Sequence, residues 1–210
     1  MALNTAGYPL ARPVKKIETL ITSGLSLFTT QDLATIWGIS DETTLYSNIQ
    51  YYVRTERLHR VHKGIYAINS YTSFELAQKI LTPSYISFYS ALAAHGLIFQ
   101  LYEGVHSMAL VSKKKTIENE TYVYHQLKEE IFINAKGIED HRNEDHQSYS
   151  MAGPERAICD SLYLAPGLAF DSLSGINLEL LREISTIYHN QRLESEIQSL
   201  LTVIKEKHAQ

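Results

Sequence analysis

Apolar residues recur at helical spacing near the start of the chain. Val14, Ile17, Leu20 and Ile21 fall on one stripe that closes at Gly24, and glycine readily takes the left-handed conformation that follows a helix. This pattern predicts a first helix over residues 14–24.

A shorter second helix is predicted over residues 31–37. Thr29 and Thr30 precede it, so a threonine oxygen can cap the free amides while Asp32 complements the positive end of the helix. Gly38 ends this helix after about two turns.

A longer third helix is predicted from Asp41 to about Arg57, with Ser40 as its cap. Its apolar stripe consists of Leu45, Ile49, Tyr52 and Val53. A stripe of this width is typical of a helix that packs one face against a core.

Two short β-favouring runs follow, at residues 58–61 and 65–68, and His62-Lys63-Gly64 separates them. That spacing suits a tight hairpin with glycine at the strained position. Three helices, a glycine turn before the third and a hairpin directly after it predict a winged helix-turn-helix.

The remaining chain predicts a second domain of mixed α+β class with a helical C-terminus. A helix over residues 71–82 leads to Pro83, where we place the boundary between domains 1–82 and 83–210. The further predicted elements are a helix capped by Ser87 and ended by Gly96, strands at 105–112, 121–126, 130–134 and 148–152, a helix from Pro154, and helices at about 177–189 and 192–207.

Composition supports a packed protein rather than a disordered one, because 44% of the 210 residues are hydrophobic and 20% are charged. The one cysteine excludes an intramolecular disulfide framework, and no run approaches the ~18 apolar residues of a membrane span. We therefore expect a cytoplasmic protein with no membrane partner.

Charge is unevenly distributed along the chain. The net charge is -4, but residues 1–80 carry eight Lys/Arg against six Asp/Glu and the remainder is acidic. This asymmetry confines any nucleic-acid contact to the first half.

The polar face of the third helix is the main candidate for such a contact. At about 100° per residue, the stripe opposite Leu45 and Ile49 has no acid on it. Its residues are Thr43, Ser47, Gln50 and Arg54, flanked by Thr44 and Tyr51, and Arg57, Arg60 and Lys63 extend positive charge toward the hairpin. Such side chains can read bases or anchor phosphates, although any exposed helix face is also polar.

Neighbouring residues are interpreted as structural. Asp41 and Glu42, in the first turn of the third helix, favour stabilisation of the helix dipole over base reading. Trp37 and Tyr66 are expected in the core rather than as stacking platforms.

Other chemical features have simpler explanations. The polar stretch Glu139–His146 is interpreted as a solvated loop rather than a metal site, Cys159 as a buried small hydrophobe, and Lys113–Lys115 as a solvated turn with a phosphate or acidic-partner contact as the alternative. Phosphate loops and hydrolase or zinc-protease motifs are absent from the sequence. We expect no cofactor, no metal, no catalytic residue and no enzymatic activity.

Four stretches of the sequence together carry a family resemblance: Phe28-Thr29-Thr30-Gln31-Asp32-Leu33-Ala34, Leu58 to Ile68, Pro83 to Leu92 followed by His95-Gly96-Leu97-Ile98, and Met151 to Tyr163. In their order they resemble the AbiEi-type antitoxin and transcriptional regulator family of type IV toxin-antitoxin systems. The last is similar to the family's Ala-x-Pro-Glu-Lys-Ala-x-x-Asp-x-Leu block, with Arg156 in place of the lysine. The resemblance implies an N-terminal winged helix, a C-terminal antitoxin domain, repression of its own operon and a nucleotidyltransferase-like toxin as partner.

These observations predict a DNA-binding repressor in which the third helix enters the major groove and the hairpin reaches phosphates. Double-stranded DNA with an inverted repeat is the expected partner, bound by two copies because the charge of one copy is modest. The alternative is a protein-interaction module in which the winged helix is a scaffold and the acidic half neutralises a partner protein.

Overall fold

The structure is a computed structural model that describes residues 13–100, 102–142 and 148–208, with the backbone alone at 13–15 and 205–208. These residues divide into two compact units, 13–72 and 73–142 with 148–208. Helices and two separate sheets together make the mixed α+β class that the sequence predicts.

The first unit has the predicted order of helices and hairpin. Its elements are α1 (Pro13–Ser23), β1 (Leu27–Thr29), α2 (Thr30–Trp37), α3 (Glu42–Arg54), β2 (His59–His62) and β3 (Ile65–Ala67). The three strands form an antiparallel sheet in the order β1-β3-β2. Strand β1 is not predicted from the sequence, because three residues carry too little alternation to be recognised.

Local capping explains where α2 and α3 begin. The Thr29 hydroxyl accepts a hydrogen bond from the Asp32 amide at 3.1 Å, and the Asp32 carboxylate accepts one from the Thr29 amide at 2.8 Å, so both ends of a capping box are present. Gly38 ends α2 at φ 64°. The predicted cap Ser40 is wrong: Asp41 caps α3, since its carboxylate accepts the Thr44 amide.

The core of the first unit is one apolar cluster drawn from all three helices and the sheet. Its buried members are Leu20, Phe28, Leu33, Leu45, Ile49, Tyr52, Leu58 and Tyr66. Because α3 contributes three of these from one stripe, its opposite face is turned away from this core.

The second unit is built on a six-stranded mixed sheet in the order β6-β7-β5-β4-β9-β8. Its elements are α4 (Ser73–Ile80), β4 (Ser84–Ile86), α5 (Phe88–Ala94), β5 (Val105–Ala109), β6 (Lys113–Ile117), β7 (Glu120–Gln126), α6 (Glu129–Phe132), β8 (Ile138–Arg142), β9 (Ser148–Ala152), α7 (Pro154–Leu164), α8 (Leu178–Thr186) and α9 (Gln191–His208). The pairs β5–β7 and β4–β9 are parallel, and the others are antiparallel.

The unit boundary lies ten residues before the one predicted at Pro83. Helix α4 packs against β4, β5 and β9 of the second sheet, and the Gln78 side chain bonds both the amide and the carbonyl of Ser150. The proline ends a helix as expected, but that helix belongs to the second unit.

Three secondary-structure predictions in the second unit are wrong. Residues 130–134 contain helix α6 rather than a strand, since Glu129 and Glu130 lie in its first turn, where acids are favourable, and Ile131 is buried. Lys113–Lys115 begin the edge strand β6 rather than a turn. Part of the predicted polar loop, Glu139–Arg142, lies in strand β8, and its residues 143–146 fall outside the described chain.

A buried polar network lies between the sheet and α7, centred on the Asp160 carboxylate. Its Oδ1 accepts the Tyr188 hydroxyl at 2.6 Å, and its Oδ2 accepts those of Ser87 at 2.7 Å and Tyr85 at 3.0 Å. Ser87 therefore does not cap α5 with its side chain, as the sequence suggests, because its hydroxyl is committed to Asp160. Arg156 Nε lies 3.4 Å from Asp160 Oδ1.

Candidate nucleic-acid interface

Helix α3 presents one apolar and one polar face. Leu45, Ile49 and Tyr52 are buried, whereas the residues predicted to contact DNA are all exposed. These are Thr43, Thr44, Ser47, Gln50, Tyr51 and Arg54 on the helix, with Arg57, Arg60 and Lys63 beyond it. The geometric part of the prediction, that these side chains face outward from the first unit, therefore agrees with the structure.

Asp41, the N-cap of α3, has a structural role. The Asp41 carboxylate accepts the Thr44 amide at 2.6 Å, and its hydrogen bonds with Thr44 lower the pKa of Asp41. Because that amide is already bonded, the start of α3 offers one donor fewer to a phosphate.

The turn of the hairpin is fixed to the start of α2. His62 pairs with Ile65, leaving Lys63 and Gly64 as a two-residue turn, and Gly64 adopts φ 77° as a tight turn requires. The Gly64 carbonyl accepts the Thr30 amide at 3.0 Å. Lys63 is thus presented on a short turn rather than on a long loop.

The cationic side chains between α3 and the hairpin have no anionic protein partner. In the described part of the chain, Arg54, Arg57, Arg60 and Lys63 are exposed and no carboxylate lies within 4.0 Å of their nitrogens. We call these four residues the cationic rim. Exposed guanidinium groups without ion pairs retain their donors for an external anion.

Trp37 and Lys16 link helices α1, α2 and α3 of the first unit. Trp37 packs against Tyr52 with ring centroids 5.5 Å apart and donates to the Lys16 carbonyl at 3.1 Å. The Lys16 ammonium lies 5.5 Å from the Trp37 ring and donates to Asn48 at 2.8 Å. Trp37 is half-buried and Tyr66 is buried, so both are packing residues as expected.

Tyr46 is a residue that the sequence analysis missed. This residue is 43% exposed and lines an open groove of about 640 Å³ between α2 and α3, which Gln31, Thr35 and Ser40 also line. Helical spacing could have located it, since Tyr46 lies four residues before Gln50 and flanks the polar stripe opposite Tyr51.

The other predicted features lie in the second unit. Cys159 is fully buried, and burial raises the pKa of its thiol well above the ordinary value, as the interpretation of a buried hydrophobe requires. Across the described ranges, no three His, Cys, Asp or Glu side chains are arranged to hold a metal ion. None of the helices described is both long and apolar enough to cross a bilayer.

The block resembling Pro-Glu-Lys-Ala-x-x-Asp supplies interior contacts. Arg156 has 0% exposure and donates to the carbonyls of Ile131 and Asn134 at 3.0 Å and to the Tyr85 hydroxyl at 3.1 Å. Burial raises the pKa of Asp160, while Arg156 and the three hydroxyl donors act in the opposite direction. These side chains are therefore inaccessible to a partner molecule.

A histidine pair lies on neighbouring strands of the six-stranded sheet, with His106 on β5 and His125 on β7. His106 Nδ1 and His125 Nε2 are 2.9 Å apart, and the second ring nitrogen of His106 lies 3.2 Å from the Glu103 carbonyl. Burial lowers the pKa of His106 and, together with the neighbouring His106, lowers the pKa of His125 to about 4. At this distance the rings share an N–H···N hydrogen bond, in which one of the two facing nitrogens carries no proton.

No protein-family model and no curated protein matches the chain. Among solved structures, the chain is similar to the RV2827C protein from Mycobacterium tuberculosis, with 12% identity, a TM-score of 0.45, and coverage of 92% of this chain and 82% of that one.

Proposed function

We propose that this protein is a DNA-binding transcriptional regulator whose first unit is a winged helix-turn-helix. The observation that carries the proposal is the outward face of α3, where the polar residues Ser47, Gln50 and Arg54 are exposed. The nitrogens of the adjoining cationic rim have no described carboxylate within 4.0 Å. Gln can pair with adenine and Arg with guanine in the major groove.

The order of elements supports this mode of docking. Helix α2, a four-residue turn that begins at Gly38, and α3 make a helix-turn-helix, and the hairpin β2–β3 follows directly. In such modules the second helix of the pair enters the major groove. Arg57, Arg60 and Lys63 then neutralise phosphates, which supply most of the sequence-independent affinity.

Repression of its own operon, loading of two copies on an inverted repeat and a cytoplasmic location complete the proposal. The resemblance to AbiEi-type regulators supports the first, and the small number of cations on one copy supports the second. A nucleotidyltransferase-like toxin is the expected neighbour in the genome, and co-purification with its product would support an antitoxin role.

The test is equilibrium binding of the full chain to the DNA upstream of its own coding sequence, over a series of salt concentrations. We expect affinity to fall as salt rises, because phosphate contacts release counterions. Arg54→Ala should weaken binding by about 1–3 kcal/mol. Arg182→Ala, which removes an exposed arginine from α8, serves as the charge-matched control.

Two results would contradict this proposal. One is the absence of any duplex binding at low salt. That result would leave the protein-interaction alternative as the better explanation. The other is equal affinity of the Arg54→Ala and Arg182→Ala variants for the upstream DNA, which would reject the role given to Arg54.

A further inference from the structure

Glu56 occupies the position just after the C-cap of α3, where glycine is the preferred residue. The Glu56 amide donates to the Val53 carbonyl at 3.1 Å and the Arg57 amide donates to the Tyr52 carbonyl at 3.0 Å, which is the hydrogen-bond pattern of a Schellman motif. Glu56 itself adopts φ 55°. This is the left-handed position at which glycine is strongly preferred.

Stability does not account for an acid at this position. A side chain with a Cβ is strained at positive φ, and a negative charge beside the C-terminus of a helix opposes the helix dipole. Glycine or asparagine would satisfy the same hydrogen bonds without either cost.

The surroundings of Glu56 are cationic. It lies between Arg54 and Arg57 in the chain, all three side chains are exposed, and Arg60 follows on β2. No nitrogen of the cationic rim lies within 4.0 Å of its carboxylate in the described structure. Glu56 therefore places an unpaired negative charge within the surface proposed to meet phosphates.

We infer that Glu56 limits the sequence-independent affinity of the protein for duplex DNA. The inference rests on the proposed function, and it concerns the effect of one negative charge on the affinity for DNA. When α3 and the rim approach DNA, the carboxylate is brought near phosphates that it repels, and the repulsion lowers the affinity for any duplex. A regulator with weaker sequence-independent binding spends less of its time on competing sites.

The chain contains a matched control for this residue. Glu118 also adopts φ 55°, in the two-residue turn between β6 and β7, where Asn119 follows at φ 86°. It is exposed and belongs to the second unit. Glu56→Gln and Glu118→Gln change the total charge equally and leave the backbone strain in place, so they differ only in where the charge is lost.

The experiment compares wild type, Glu56→Gln and Glu118→Gln for binding to a short duplex of arbitrary sequence and to the upstream DNA. We expect Glu56→Gln to bind the arbitrary duplex about 3- to 10-fold more tightly at low salt, since repulsion between unit charges in water is about 1 kcal/mol at contact distance. The gain should shrink as salt rises. Glu118→Gln should bind like wild type.

A second pair of variants separates charge from strain. Asparagine tolerates the left-handed conformation better than glutamate does, so Glu56→Asn and Glu118→Asn should both raise Tm. Only Glu56→Asn should also tighten DNA binding, to the same extent as Glu56→Gln.

Each alternative outcome overturns the inference in a recognisable way. If wild type binds DNA and the two glutamine variants behave alike, Glu56 does not limit affinity, while the proposed function stands. If Glu56→Gln weakens binding to the upstream DNA but not to the arbitrary duplex, Glu56 contacts a base instead. If neither wild type nor Glu56→Gln binds any duplex, the proposed function fails and the inference fails with it.

Discussion

The two units differ in the environment of an arginine guanidinium group, which is exposed in the first unit and buried in the second. In the first unit, Arg54 ends α3 with its side chain exposed, and no carboxylate of the described residues lies within 4.0 Å of its nitrogens. In the second, Arg156 is fully buried, and three carbonyl groups, a tyrosine hydroxyl and Asp160 surround it. A fully buried guanidinium can only hold the interior together, whereas an exposed one is available to another molecule.

The comparison also separates stability from binding. Removing one partner of a buried ion pair leaves the other uncompensated in a medium that solvates it poorly. Removing an exposed charge leaves the interior unchanged. Equivalent substitutions in the two units should therefore change different measured quantities.

The largest expected effect is that of Arg156→Met, which keeps the length of the side chain and removes its charge. We expect the free energy of unfolding to fall by about 3–5 kcal/mol, because Asp160 is left buried without its cation. Arg54→Met should change it by less than about 0.5 kcal/mol. Chemical denaturation of both variants gives the two values, and similar losses would contradict the division of roles.

A smaller effect is expected for Tyr188→Phe, which deletes one of the hydroxyls that bond Asp160. Hydrogen bonds to charged groups contribute about 1.5–3 kcal/mol, so thermal and chemical unfolding should show a loss in that range. Tyr46→Phe removes a hydroxyl from a side chain that is 43% exposed and is the control. A loss as large at Tyr46 would mean that its hydroxyl has an interior role.

The third prediction concerns pH and the histidine pair. The pKa of His125 in the folded protein is about 4, below its ordinary value near 6.5, so the unfolded chain binds a proton at this site at a pH where the folded protein does not. The stabilisation is fully present above pH 6.5 and declines as pH falls toward 4.

The decline between pH 7 and 5 should be about 1–2 kcal/mol, after allowance for the partial exposure of the ring. His106, whose pKa is lowered mainly by burial and also by Lys114, acts in the same direction. The pH dependence of unfolding should be flatter in His125→Gln than in wild type. Equal slopes would show that the pair does not titrate in this range.

The sequence predicts the first unit better than the second, for physical reasons. In the first unit, local signals agree with the tertiary contacts: the Thr29–Asp32 capping box, Gly38 and Gly64 each specify their own turn. In the second unit, a distant residue overrides the local signal, as when Asp160 takes the hydroxyl of Ser87 across 73 positions. The residues near Ser87 in the chain give no indication that a distant carboxylate will accept its hydroxyl.

The residues of the candidate surface were likewise predictable from the sequence only in part. Helical spacing is sufficient to place Ser47, Gln50 and Arg54 on the exposed face of α3. The conformation of Glu56 is not predictable in this way, because a glutamate gives no sign that it occupies a position preferred by glycine. Tyr46 could have been found from spacing alone.

The lysines of β6 have a consequence for how this protein behaves at high concentration. Among the described residues, strand β6 lies at one end of its sheet and pairs with β7 alone, so it presents a row of backbone groups on which another chain could extend the sheet. Lys113 and Lys114 are exposed on that strand, and charged side chains on an edge strand oppose aggregation. Neutralising them would remove this protection and favour insoluble assemblies in a crowded cell.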